Sequence, residues 1–127
     1  MKMTIYYGNP SSEFHIVDES GNKGGTYGLL LYNGGTVCDD GFDQNAADAI
    51  CSLLGYAASN SEWDSEYKWS NQYIYKITMD DVKCPTSSWS SCRYSDSNDC
   101  GHNEDVFLGC SDGSPGEKIS IHKIRLK

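Results

Sequence analysis

Residues 35–55 read GTVCDDGFDQNAADAICSLLG, and this stretch decides the fold. Four of its side chains recur at i, i+3, i+4 and i+7, which places them on one face of an α-helix: Ala47, Ile50, Cys51 and Leu54. Asp43 stands where a helix N-cap is preferred, and Gly55 stands where a helix commonly ends. The stretch therefore predicts one helix near residues 44–54, with Cys51 directed into the core.

Strand signals lie on both sides of this helix. Residues 28–32, GLLLY, form an apolar run that predicts a buried strand, and Asn33-Gly34 is a hairpin-turn signal before residues 36–38. Other short apolar or alternating segments predict further strands: residues 1–8, 14–16, 74–79, 106–110 and 118–127. Residues 57–73 are polar and aromatic and are predicted to form a long loop.

Cysteine is unusually frequent, with six in 127 residues and no C-x-x-C pair. Cytosolic thiols are kept reduced, so this usage indicates disulfides and an oxidising, extracellular compartment. Spacing alone leaves about 15 pairings open. The length suits one domain spanning residues 1–127.

The charge narrows the class of partner. The net charge is −8, whereas a nucleic-acid binder or an anionic-membrane binder is typically basic. No apolar run approaches the roughly 20 residues that span a bilayer. We therefore expect no nucleic-acid partner and no membrane insertion. A secreted or cell-surface location is expected, with a natural signal peptide already removed, because residues 1–4 lack the apolar segment of a signal.

Four motifs, in order along the chain, resemble the scavenger receptor cysteine-rich domain family. They are GTVCDDGFD at 35–43, AADAICSLLG at 46–55, MDDVKC at 79–84, and DCGHNED at 99–105 leading to Cys110. The resemblance covers residues 14–111. Tyr56 stands where eight-cysteine members have a cysteine, so the chain resembles the six-cysteine group. The tryptophan expected just before Gly35 is absent.

The resemblance implies an α+β fold in which a curved antiparallel sheet cradles one helix, with long loops and three disulfides. The implied disulfides are Cys38–Cys100, Cys51–Cys110 and Cys84–Cys92. Residues 1–13 and 112–127 lie outside the family pattern. Both flanks have strand-like sequences, and by pairing with each other they could extend the sheet.

Acidic side chains from separated segments are candidates for binding calcium. Gathered carboxylates repel one another unless a cation compensates, and calcium takes about 6–8 oxygen ligands. The resemblance implies two sites, listed here by residue: Asp40, Asp43 and Glu104 for the first, and Asp39, Asp80 and Asp99 for the second. Asp80 is favoured over Asp81 as the ligand. The family often has asparagine at position 99, so Asp99 raises the charge of the second site.

Simpler interpretations of these residues stay open. Asp43 can act as a helix cap, Asp80 and Asp81 can accept backbone hydrogen bonds, and Asp99 and Glu104 can be solvated charges. Other sites fit poorly: an EF-hand beginning at Asp96 would require glutamate where Phe107 stands. Zinc would require cysteines that the disulfides use.

Catalysis has little support, because no G-x-S-x-G, H-E-x-x-H or phosphate-binding loop occurs. His102 is interpreted as a structural residue. Three aromatic side chains of the predicted loop are weaker candidates for ligand contact, although they could equally fill the space beneath the loop: Trp63, Tyr67 and Trp69.

The expected function is therefore that of a non-enzymatic extracellular recognition module. The resemblance implies calcium-dependent binding of polyanionic, microbial, glycan or protein ligands, with calcium bridging to the ligand. The alternative is a protein-interaction or self-assembly module in which calcium is purely structural.

Overall fold

The computed structural model describes the backbone of residues 5–7 and the whole of residues 13–96 and 98–111. The described strands are β1 Ile5–Tyr7, β2 Phe14–Val17, β3 Tyr27–Tyr32, β4 Gly35–Val37, β5 Glu62–Asp64, β6 Ile77–Lys83, β7 Arg93–Ser95 and β8 Phe107–Gly109. Helix α1 spans Gln44–Leu53, and short 3-10 helices span Ser70–Ile74, Trp89–Ser91 and His102–Glu104. Among the described residues, none of the helices has the length and hydrophobicity of a transmembrane span.

The strands form a curled sheet that packs against α1, in the order β1-β7-β6-β4-β3-β8-β5, with β2 also paired to β3. Strand β3 is the central element. One edge pairs with β2, and the opposite edge pairs with β4 near Leu31 and with β8 near Leu29. The α+β class and the curved sheet that the resemblance implied are confirmed, and the described residues contain one α-helix, as expected.

One pairing differs from the expected antiparallel sheet, because β4 and β6 run parallel. Parallel strands require a long crossover connection of a dozen or more residues. The segment between β4 and β6 contains α1 and the long loop, so the chain has ample length to return in the same direction. The sheet is therefore mixed rather than purely antiparallel.

The caps of α1 form as the sequence predicts. The Asp43 side chain accepts a hydrogen bond from the Ala46 N–H at 2.9 Å, and Gly55 follows the last turn with φ 92°. The buried face of the helix includes Ile50 and Cys51. A helix cap of this kind stabilises a protein by about 0.5–2 kcal/mol.

The apolar interior lies on both faces of β3. Leu30 belongs to the larger cluster, which also contains the buried face of α1, while Leu29 and Leu31 pack with Trp69 and Phe107 on the other side. Successive side chains of a strand point to opposite faces. Burial of both faces explains why residues 28–32 are continuously apolar rather than alternating.

Three disulfides link elements that are distant along the chain or close a short loop. They join Cys38 to Cys100, Cys51 to Cys110 and Cys84 to Cys92. These are the pairs that the resemblance implied. The second attaches α1 to the end of β8, and the first attaches the end of β4 to the acidic segment near residue 100.

Several predicted boundaries differ from the structure. The strand predicted at 74–79 occupies Ile77–Lys83, because residues Ser70–Ile74 form a 3-10 helix. The predicted loop at 57–73 also contains β5, which pairs with β8. The N-terminal strand forms at Ile5–Tyr7 and pairs with β7. The strand predicted at 118–127, and its proposed pairing with the N-terminal flank, lie outside the described residues.

Candidate metal centre

The Cys38–Cys100 disulfide is the centre of the acidic cluster. Cys38 follows β4, is completely buried, and its N–H donates to the Met79 carbonyl at 2.9 Å. Asp39 and Asp40 follow directly, and the chain then turns at Gly41. Gly41 has φ 74°, and a Cβ there would lie 2.8 Å from the Val82 carbonyl oxygen, so a larger residue would disturb the turn.

Asp40 lies against the bridge itself. Its Oδ2 is 3.8 Å from the Sγ of Cys38 and 3.8 Å from the Sγ of Cys100. Disulfide sulfurs carry no proton, so these contacts are not hydrogen bonds. The exposed carboxylate of Asp40 thus lies beside a disulfide that carries no charge to balance its own.

A first group of carboxylates surrounds this point. The potential ligand atoms of four residues lie within 4.8 Å of one another: Cys38, Asp39, Asp40 and Glu104. The Asp39 N–H donates to the Glu104 carbonyl at 2.9 Å, and this hydrogen bond links the segment after β4 to the 3-10 helix His102–Glu104. Ser65 Oγ donates to Asp39 Oδ2 at 2.7 Å. Asp40 and Glu104, both predicted for the first site, therefore lie together, and Asp39, which was predicted for the second site, lies with them.

A second group shares Asp40. It consists of Cys38, Asp40, Asp80 and Cys100, again with potential ligand atoms within 4.8 Å of one another. Asp80 is only 3% exposed and lies at an irregularity in the β6–β7 pairing. The next residue, Asp81, has φ 53°, and its N–H donates to Asp80 Oδ1 at 2.7 Å. This local geometry directs Asp80, rather than Asp81, into the cluster.

The environment of Asp80 disfavours its charged form. Burial, followed by the negative charges of Asp81, Asp40 and Asp99, raises the pKa of Asp80 from 3.8 to about 6, although the hydrogen bond from the Asp81 N–H acts in the opposite direction. A nearby cation would favour the ionised form of Asp80 and would so oppose the rise in its pKa.

Two predicted ligands lie outside these groups. Asp43 uses one carboxylate oxygen to cap α1, and Asp99 is exposed. Asp99 nevertheless lies near enough for its charge to raise the pKa of Asp80. The structure thus assembles Asp39, Asp40, Asp80 and Glu104 closely, with Asp99 nearby and Asp43 on the adjoining helix cap.

The donor chemistry of the cluster fits a hard cation. Its available donors are carboxylate oxygens, which calcium and magnesium prefer, while the two sulfurs are bonded to each other and cannot act as thiolate ligands for zinc. Within residues 13–96 and 98–111, no lysine or arginine forms an ion pair with these carboxylates.

Comparison with known proteins identifies the family. The family model described as scavenger receptor cysteine-rich domain matches residues 20–111. The chain belongs to the scavenger receptor cysteine-rich (SRCR) domain family. SRCR domains are extracellular recognition modules.

Two individual proteins are similar to this SRCR domain. Lysyl oxidase homolog 2 from Xenopus laevis is 38% identical in an alignment 98 residues long, which covers 72% of this chain and 12% of that protein. The chain thus spans about an eighth of the length of this curated relative. The solved dimeric form of the SRCR domain of mouse MARCO matches with a TM-score of 0.49 and 23% identity, covering 87% of this chain and 90% of that one.

A buried network of polar side chains holds the 3-10 helix His102–Glu104 of the SRCR domain in place. Asp105 is 1% exposed, and its Oδ2 accepts from Gln72 Nε2 at 2.9 Å and lies 2.8 Å from His102 Nδ1. Gln72 Nε2 also donates to the His102 carbonyl at 3.0 Å. This network holds the 3-10 helix that carries Glu104, which agrees with the structural interpretation of His102. Neither Gln72 nor Ser65 belongs to a local sequence motif, so their roles depend on contacts that only the folded chain creates.

The aromatic residues proposed as weak ligand contacts pack mainly inside the SRCR domain. Trp69 is buried with its ring 4.9 Å from that of Phe107, and the half-buried Tyr67 packs on the same ring at 5.4 Å. Trp63, also half-buried, packs against Phe42 at 5.1 Å. Trp69 is therefore unavailable to a ligand, because the long loop folds back over the second apolar cluster.

Proposed function

We propose that this SRCR domain is a non-catalytic extracellular recognition module whose ligand contact depends on calcium bound beside the Cys38–Cys100 bridge. The observation that carries the proposal is the convergence of Asp39, Asp40, Asp80 and Glu104 on one bridge. Carboxylates packed this closely repel one another, and a divalent cation would remove that repulsion while supplying a positive contact.

Asp40 is the residue on which both candidate sites depend. It is shared by the two groups and it is exposed, so a cation held there would remain open to a ligand. Asp39 and Glu104 complete the first site, and Asp43 remains a candidate for it because one of its oxygens lies outside the cap hydrogen bond. Asp80, with Asp99 nearby, forms the second. Open sites of this type bind calcium at about 10⁻⁴–10⁻³ M.

The proposed ligand carries anionic groups, such as those of a polyanion, a microbial surface glycan or an acidic protein. The domain has a net charge of −8 and would repel such a ligand without bound cations. Calcium would therefore act as the bridge between the domain and the ligand.

The direct test is calorimetric titration of the protein with calcium, followed by binding of a sulfated polysaccharide with and without chelator. We expect calcium binding to be lost in Asp40→Asn and retained in Glu19→Gln, a control that removes one exposed carboxylate elsewhere. We also expect chelation to weaken polysaccharide binding at least about tenfold, because the bridging charge is removed. Unchanged affinity in chelator, or normal calcium binding by Asp40→Asn, would contradict the proposal.

A second candidate function is supported by two exposed apolar side chains. Tyr73 and Ile74 are 66% and 76% exposed at the end of a 3-10 helix, and such residues commonly anchor protein partners. In this alternative, calcium is purely structural and the domain acts in protein interaction or self-assembly. A concentration-dependent dimer in light scattering that persists in chelator and is lost in Ile74→Ser would favour it. Chelation would then lower the melting temperature without altering ligand binding.

A further inference from the structure

Gln72 is a buried side chain that joins the 3-10 helix Ser70–Ile74 to a second 3-10 helix. It is 1% exposed, and its Nε2 donates to the His102 carbonyl at 3.0 Å and to Asp105 Oδ2 at 2.9 Å. Its Oε1 accepts from the Trp69 N–H. The amide nitrogen and the amide oxygen therefore both have partners. The reverse orientation would place Oε1 against a carbonyl and a carboxylate oxygen, so the side chain is fixed in one orientation.

The acceptors of Gln72 stand at the two ends of the short 3-10 helix His102–Glu104. The carbonyl of the first residue of that helix accepts one hydrogen bond, and Asp105, the C-cap residue, accepts the other. A 3-10 helix has poorer hydrogen-bond geometry than an α-helix, and short ones have little stability of their own. The position of this helix therefore depends on outside contacts, and one amide group supplies such a contact at each end.

Glu104, the last residue of this helix, is placed at the acidic cluster by its backbone and its side chain. The Asp39 N–H donates to the Glu104 carbonyl at 2.9 Å, and the Gly101 N–H donates to Glu104 Oε2 at 3.3 Å. Glu104 Oε1 lies 3.8 Å from Cys38 Sγ, within the group that also contains Asp40. A displacement of the helix would therefore move a potential ligand oxygen out of the group.

Repulsion among the carboxylates favours such a displacement when no cation is bound. Glu104, Asp39 and Asp40 have potential ligand atoms within 4.8 Å of one another, and like charges at this distance repel. The hydrogen bonds of Gln72 oppose the displacement, because they are buried and one of them goes to a carboxylate. Hydrogen bonds to ionised groups are roughly twice as strong as neutral ones. Ligands that are already in position also reduce the entropic cost of binding.

We propose that Gln72 is the positioning residue that holds Glu104 in the first site before a cation binds. The proposal deepens the proposed function and rests on it for the identity of the cation. The second site depends on Asp80 of β6, which accepts a separate hydrogen bond from the Asp81 N–H at 2.7 Å. Loss of the Gln72 amide should therefore weaken the first site and leave the second nearly unchanged.

Two variants remove the amide contacts, and a third is a matched control. Gln72→Met keeps the length and flexibility of the side chain without its hydrogen bonds. Gln72→Asn keeps the amide but is one methylene shorter, so it cannot reach both acceptors. The control is Asn71→Leu, on the same 3-10 helix. Asn71 Nδ2 donates to the Asp18 carbonyl at 3.1 Å, so the control also removes a hydrogen bond from an amide to the backbone, at the loop after β2.

Hydrogen exchange in chelator tests the positioning without a metal ion. We expect the Asp39 N–H, which donates to Glu104, to exchange at least about tenfold faster in Gln72→Met and less than about twofold faster in Asn71→Leu. The Leu30 N–H, in the core, reports global unfolding and should differ little between these variants. In the parent, slowly exchanging side-chain amide signals of Gln72 should be present in chelator. Their appearance only after calcium is added would overturn the proposal even if the variants fail to fold.

A calcium titration followed by the amide signals of Glu104 and Asp81 measures the two sites separately. We expect Gln72→Met and Gln72→Asn to weaken the first site at least about tenfold and the second less than about twofold, whereas Asn71→Leu should change neither. Equal losses at both sites, or unchanged exchange of the Asp39 N–H in Gln72→Met, would refute the assignment. A parent that binds no calcium would contradict the proposed function, and the exchange rates in chelator would still decide whether Gln72 positions Glu104.

Discussion

Asp80→Asn tests whether the clustered carboxylates destabilise the folded state when no cation is bound. Asp80 is buried beside Asp40 and Asp99, and its pKa is raised from 3.8 to about 6. The substituted amide keeps an oxygen that can accept from the Asp81 N–H while removing the negative charge. We therefore expect Asp80→Asn to be more stable than the parent protein in calcium-free buffer at pH 7.5.

The magnitude follows from linkage between protonation and folding. Because the pKa is higher in the folded state, ionisation of Asp80 destabilises that state, and the full cost is present above about pH 6. Moving from 3.8 to about 6 corresponds to about 3 kcal/mol at most. As pH falls from about 6 to 3.8, the folded protein takes up the proton first and the cost disappears.

Urea denaturation at pH 7.5 and at pH 4, in chelator, measures this directly. The advantage of Asp80→Asn should be about 1–3 kcal/mol at pH 7.5 and should nearly vanish at pH 4. Calcium at ten to a hundred times its dissociation constant should stabilise the parent by about 1.4–2.7 kcal/mol and the variant by less. A variant that is less stable than the parent by the same amount at both pH values would refute the reasoning.

Two further predictions concern packing. Gly41→Ala should cost about 1–3 kcal/mol in urea denaturation, because it combines a positive φ with a clash against the Val82 carbonyl. Gly24→Ala, which has φ 94° and no atom within 4 Å of the added Cβ, should cost less, and equal costs would exclude the clash as a cause. Trp69→Ala should cost about 3–5 kcal/mol because its ring is buried on Phe107. Tyr73→Ala, at an exposed position, should change stability by less than about 0.5 kcal/mol, and similar losses for the two would contradict the assignment of Trp69 to the core.

Local signals in the sequence were sufficient for the elements around residues 28–55. The cap at Asp43, the apolar spacing of α1 and the Asn33-Gly34 turn each act within a few residues, so their outcome does not depend on distant parts of the chain. The strand predicted at 74–79 was displaced toward Ile77–Lys83 for a different reason. The 3-10 helix at Ser70–Ile74 is held by tertiary contacts of Gln72 with the His102–Asp105 segment, which no local pattern reports.

By itself, the sequence determined the helix with its caps, the hairpin, the disulfide-bonded class and the family. These depend on residue types at short spacing or on motifs in a recognisable order. The tertiary structure alone decided that β4 and β6 run parallel, that Trp69 is buried, and that Lys83 faces Arg93. It also decided which carboxylates lie close to Asp40. These carboxylates come from separate segments of the chain, and they approach one another only because the disulfides and the strand registers bring those segments together.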